Sequence, residues 1–93
     1  MTRQVFQSAL FERQKKRLSG KDIAALDREI RRIQLDPTAG EAKKGDLAGV
    51  YVHKYKEGIR LMLIAYEFSR DEILLLALGS HENFYRDLKK YIK

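Results

Sequence analysis

The chain has 93 residues, a formal net charge of +6 and no cysteine. That length makes one domain, residues 1–93, with no room for a second core, and the lack of cysteine excludes disulfides, thiolate chemistry and sulfur-ligated zinc. Charged residues make up 34% and apolar ones 44%, which excludes a disordered tail and leaves a globular domain with a solvated shell.

The basic excess favours an anionic partner such as RNA, DNA, a ribosome, an acidic protein or a membrane surface. Solubility alone would also account for the extra lysines. The residues Met1–Phe6 lack the apolar core of a signal peptide. No run reaches membrane-spanning length, because Arg60 and Glu67 bracket the apolar stretch Leu61–Tyr66. A cytoplasmic protein with no membrane partner is expected. With only His53 and His81 and no HExxH spacing, neither a metal site nor another cofactor is expected.

In chain order, Arg3–Phe6 reads as a short first strand. A helix follows from Ser8, with Phe6, Leu10, Gln14 and Leu18 at steps of four, and Ser19-Gly20 ends it. A second helix covers about Lys21–Leu35, where Ile23, Leu26, Ile30 and Ile33 recur at steps of three and four and Pro37 forbids continuation. The short link predicts an antiparallel helical hairpin. Asp36–Gly49 reads as loop, with Pro37, three glycines and the pair Lys43-Lys44.

The period then changes to two. Val50, Val52, Lys54 and Lys56 fall on one face of a strand, and Tyr51, His53 and Tyr55 on the other. Glu57-Gly58 reads as a two-residue hairpin turn. Ile59–Phe68 is a long strand, apolar on both faces as in a sheet centre. Ser69–Asp71 turns, Glu72–Leu78 is another apolar strand, and Glu82–Lys93 is a helix with Phe84, Leu88 and Tyr91/Ile92 as its buried stripe. The order β-α-α-β-β-β-α predicts an α+β domain, with the N-terminal short strand and helical hairpin packed on an antiparallel sheet.

Lys54, Lys56 and Arg60 flank the predicted turn, so they are expected to cluster and make a phosphate site. Lysines beside hairpin turns also simply keep sheet edges soluble. Arg60 begins an otherwise apolar strand, where it needs a task or a partner, and a carboxylate such as Glu82 would serve. The row Tyr51-His53-Tyr55 can stack on bases or cover a helix, and covering a helix is the commoner use. His81 follows Gly79-Ser80 directly and can exchange a proton near neutral pH. If Ser80 caps the last helix, His81 and Tyr85 lie four apart on one face. Each has a plain structural use too, capping for His81 and packing beside Phe84 for Tyr85.

Taken together, Gly45-Asp46-Leu47-Ala48-Gly49-Val50-Tyr51-Val52-His53-Lys54-Tyr55-Lys56, then Gly58-Ile59-Arg60-Leu61, then Leu76-Ala77-Leu78-Gly79-Ser80-His81 before a tyrosine-bearing helix, resemble the RelE/ParE superfamily of toxins from bacterial type II toxin–antitoxin pairs. The resemblance runs nearly the full length. It implies a toxin neutralised by a cognate antitoxin. It also implies, for the RelE branch, a metal-independent endonuclease that cuts mRNA on the ribosome and so inhibits translation. By that resemblance Arg60 matches the arginine at the scissile phosphate, and Lys54 and Lys56 lie in the lysine-bearing strand. His81 falls where the branch carries a basic or imidazole group, and Tyr85 lies about two positions from the terminal-helix tyrosine. The catalytic candidates are then Arg60, His81, Tyr85 and Lys54, and the candidates for binding RNA are Lys56, Lys43, Lys44 and His53. The ParE branch, with the same fold, instead implies an inhibitor of DNA gyrase that acts by protein contact.

Overall fold

The computed structural model describes residues 3–92, the side chains of Glu82 and Asn83 excepted. Its elements are β1 (Gln4–Gln7), α1 (Ala9–Lys15), α2 (Gly20–Leu35), β2 (Glu41–Ala42), β3 (Tyr51–Glu57), β4 (Arg60–Phe68), β5 (Glu72–Ser80) and α3 (His81–Ile92). The expected helix end at Lys93 lies outside the described residues.

The α+β class and element order stand, and β3, β4 and β5 form the expected antiparallel meander. The whole sheet is five-stranded in the order β1-β5-β4-β3-β2, and it is mixed. β1 pairs parallel with β5 over Gln4–Gln7 against Glu72–Leu75. The stretch read as loop also holds more structure than its composition suggested. It carries the two-residue strand β2 and two short 3-10 turns, Pro37–Ala39 and Gly45–Leu47.

Local chemistry fixes the ends. The Ser8 hydroxyl accepts from Phe11 N to cap α1 and donates to Leu76 O at 2.7 Å, tying the cap to β5. Helix α1 stops at Lys15, short of the expected Leu18, and Ser19 caps α2 by accepting from Asp22 N. Beyond β1 the outer edge of β5 is closed by a side chain, with Gln14 Oε1 accepting from Leu78 N at 2.7 Å.

Two cores sandwich the sheet. On one face α1 and α2 bring Phe11, Leu26, Ile30 and Ile33 against Tyr55, Met62, Ile64 and Tyr66. On the other, Phe84 and Leu88 of α3 pack on Val52, Leu63, Ala65 and Leu76. A bulge where Ala65 pairs with Ala77 but Tyr66 pairs with Leu75 leaves Leu76 as the extra residue. Leu76 and Ala77 thus both face α3.

The hairpin between β3 and β4 turns one residue later than its sequence suggests. Glu57 pairs with Arg60, so the loop is Gly58-Ile59, with Gly58 at φ +61°. A glycine first at positive φ is the pattern of a type II′ hairpin, which matches strand twist. This fixes parity: Lys56 opposes Leu61 and Lys54 opposes Leu63 on the α3 face, while Arg60 joins Met62 and Ile64 on the α2 face.

Candidate functional site

On the α3 face the chain gathers cations, a phenol and an imidazole. Lys43 follows β2, and its Nζ lies 5.0 Å from the centre of the Tyr85 ring, a cation–π distance. Tyr85 is half-buried on the first turns of α3, packed edge-on to Phe84. The ring of exposed His81, one turn earlier, stands edge-on to Tyr85 with 6.3 Å between centres. That distance and angle make an edge-to-face aromatic contact.

Lys54 joins this group through Glu41. The Glu41 carboxylate pairs with the Lys43 ammonium and lies 4.0 Å from Lys54 Nζ. Hydrogen bonding to Lys43, with the charges of Lys43 and Lys54, holds Glu41 below the usual carboxylate range. The bond to Glu41, followed by one to the Tyr85 hydroxyl, pushes Lys43 up, so it stays charged. Lys54 and Gly79 both oppose Leu63, which places Lys54 two strands, about 10 Å, from the approach to His81. Lys56 is exposed on the same face, one alternation nearer the hairpin.

The other candidates sit elsewhere. Arg60, although beside the hairpin, is on the α2 face with Nη2 at 3.8 Å from Asp22 Oδ2. The side chain of Glu82, its expected partner, lies outside the described residues. Proximity to Glu57 lowers the Asp22 carboxyl, and proximity to Asp22 raises that of Glu57. Arg60 also borders a cavity of about 400 Å³ between α1, the end of β5 and α3, with Arg17, Met62, Leu78, Phe84 and Asp87 around it. His53 faces α2, its Nε2 2.8 Å from Glu29 Oε1, so the Tyr51-His53-Tyr55 row covers a helix. Lys44 is exposed before the Gly45–Leu47 turn.

Glu41 was missed from sequence, although Glu41-Ala42-Lys43 alternates so that acid and base share one face of an extended segment. Among the described residues no group of three or more His, Asp or Glu side chains is placed to hold a metal. No described helix is long and apolar enough to cross a membrane.

No curated protein matches the chain at a significant level. Among solved structures, it is similar to the solution structure of the conserved hypothetical protein HP0894 from Helicobacter pylori, with a TM-score of 0.59 at 23% identity over 87% of this chain and 96% of that one. That likeness shows the fold, which is RelE-like. The family model for the ParE-like toxin of type II bacterial toxin–antitoxin systems matches residues 5–89, from β1 into α3. The chain therefore belongs to the ParE-like toxins of type II toxin–antitoxin systems, a family that implies a cognate antitoxin.

Proposed function

We propose that this toxin is a ribosome-dependent mRNA endonuclease that cuts by transesterification through the ribose 2′-OH. The observation that supports the reading is the grouping of Lys43, Tyr85 and His81 beside α3, with Lys54 linked to Lys43 through Glu41. A base removes the 2′-OH proton, the freed oxygen attacks the adjacent phosphorus, and an acid protonates the departing 5′-oxygen. His81 and Tyr85 are the acid–base candidates. Lys54, with Lys43 beside Tyr85, would stabilise the negative charge that builds on the phosphate, and Lys56 would hold the strand. Arg60 lies on the α2 face and borders the cavity between the end of β5 and α3, so it would act from the other side of the sheet.

A second reading, a gyrase inhibitor acting by contact, is favoured by one observation. Arg60 is engaged by Asp22 on the face away from the lysines, and a binding inhibitor needs no acid–base pair.

The deciding experiment is a translation reaction with purified toxin in which messenger 5′ ends are mapped by primer extension, with ribosome-free RNA as control. His81→Ala and Tyr85→Phe are each expected to lower cutting by about 100-fold or more, the usual span for an acid–base group. Lys54→Ala should reduce it as well, and Arg60→Ala less than Lys54→Ala. An analogous DNA should stay intact because it has no 2′-OH. Intact messenger together with trapped gyrase–DNA complexes would select the second reading.

A further inference from the structure

The outer edge of β1 is bare over a short, bounded stretch. Gln4 N donates to Asp71 O and Ser8 N to Leu75 O, both at 2.9 Å. Even-numbered residues of β1 thus turn their backbone groups to β5, and odd-numbered ones turn theirs outward. Of the outward residues, Arg3 already accepts at its carbonyl from Gln34 Nε2 at 2.9 Å, and past Ser8 the chain enters α1. Val5 and Gln7 remain. Among the described residues no hydrogen bond reaches their outward N–H and C=O groups.

Such an edge is a template for another strand. Its surroundings are uncharged or neutralised. β1 reads Gln4-Val5-Phe6-Gln7 in a chain that is 34% charged. The Arg3 guanidinium is drawn away from the edge, to Ser69 O and over the Phe68 ring. A hollow of about 540 Å³ beside the edge is bordered by Lys15 and Lys16, and each has a carboxylate within 4.0 Å, Asp27 and Glu12. The far edge of the sheet differs. Lys43 N donates to Val50 O, so the outward residues of β3 past Val52 are Lys54 and Lys56, and two such edges would repel each other. Val5 packs into the α2-side core, so Phe6 points to the opposite face, in register with Leu74. Phe6 is 45% exposed and Leu74 36%.

We propose that β1 pairs antiparallel with β1 of a second copy of the chain, about a two-fold axis through Phe6, so that the two sheets become one. This register uses every free group. Val5 exchanges two hydrogen bonds with Gln7 of the second copy, and Gln7 exchanges two with its Val5. Setting Val5 opposite Val5 would drive Gln7 onto Arg3, whose carbonyl Gln34 holds. Setting Gln7 opposite Gln7 would drive Val5 onto Ala9, which is in α1. At the centre the two Phe6 side chains meet as a non-hydrogen-bonded pair, the closer kind, and with the two Leu74 side chains they close an apolar patch. A second copy is the occupant because the edge answers itself group for group, as an isologous contact must. It is also the place where two chains of charge +6 can meet without opposing lysines. An edge with two outward residues is small beside the roughly 1,200 Å² that stable complexes bury, so the dimer is weak and forms as concentration rises. Both α3 faces stay open in it, and the inference holds for a nuclease and a gyrase inhibitor alike.

The test is sedimentation of the full chain from about 1 μM to 1 mM, the span of weak affinities, with hydrogen exchange of the nitrogen-15-labelled protein at both ends of that range. The expected result is a shift from monomer to dimer with concentration, and slowed exchange at the Val5 and Gln7 amides in the dimer. Phe6→Lys should keep the native spectrum and weaken the dimer by about tenfold or more. Gln7→Pro, which deletes one outward N–H that β5 does not use, should weaken it too. Ile59→Lys, which removes an equally exposed apolar side chain at the far hairpin, should leave it unchanged. A monomer throughout the range would overturn the proposal, as would a dimer that survives Phe6→Lys or is lost equally in Ile59→Lys. So would slowed exchange centred on Lys54 and Lys56 or on α3. A blocked Gln/Val peptide that protects Val5 and Gln7 while the chain alone stays monomeric would give the edge to a foreign strand and overturn it as well.

Discussion

Two buried tyrosines on the α2 face show how differently one hydroxyl can be used. The Tyr66 hydroxyl donates to Pro37 O at 2.5 Å and anchors the turn that follows α2. Tyr66→Phe should cost about 1–2 kcal/mol, read as a lower urea midpoint with unchanged slope, since it strips a buried carbonyl of its donor. Gly40 packs against the same ring, and a Cβ there would strike the Tyr66 hydroxyl. Gly40→Ala is therefore expected to destabilise as well. Tyr55, in contrast, has a buried hydroxyl with no partner among the described residues. Tyr55→Phe should be neutral or slightly stabilising at pH 7. Burial first, then the charges of Glu57, Glu29 and Asp22, push the Tyr55 phenol up to about 12. An acid whose pKa is raised by folding stabilises below its unfolded value, and that contribution is lost as pH climbs toward the folded one. Stability should thus fall between about pH 10 and 12, and the fall should flatten in Tyr55→Phe, as followed by urea midpoints across that range.

At the scale of elements, the strongest dependence is on Ser8, which caps α1 and holds β5 in one side chain. Ser8→Ala should cost about 1–3 kcal/mol by equilibrium unfolding. The long periodic elements were legible from sequence: α2 through its Ile23, Leu26, Ile30 and Ile33 spacing, and β4 and β5 through their apolar runs. Three features were not legible. β2 is two residues long and has no periodicity to read. The parallel pairing of β1 with β5 joins residues far apart in the chain, and a pattern within either segment says nothing about its neighbour. The hairpin loop falls on Gly58-Ile59, where an apolar side chain is left fully in solvent; only glycine's freedom at the first loop position selects it over Glu57-Gly58. Either two-residue loop pairs Arg60 with an odd-numbered residue of β3, so strand alternation alone already sets it on the face opposite Lys54 and Lys56. Within the site, the His81–Tyr85 spacing was readable because helix geometry fixes it. The Lys43–Tyr85 contact was not, since it depends on where a loop lies over a helix.

For the whole molecule, the net charge is +6, and Lys43, Lys54 and Lys56 belong to the α3 face. On the proposed nuclease reading, RNA binding there should weaken steeply with salt, because the screening length drops from about 10 Å at 0.1 M to about 3 Å at 1 M. Filter binding over that range, with Lys43→Ala and Lys54→Ala lowering the slope, checks it. The antitoxin should raise the melting temperature with the logarithm of its excess over Kd, by mass action on the native state.

The parallel pairing of β1 with β5 also sets a clock. Gln4–Gln7 leave the ribosome early, yet the strand they must lie beside, Glu72–Leu75, is made tens of residues later. At roughly 5–20 residues per second that interval lasts several seconds, during which β1 has no native partner and the sheet cannot close. The nascent chain therefore stays without its closed sheet until nearly the whole domain has emerged.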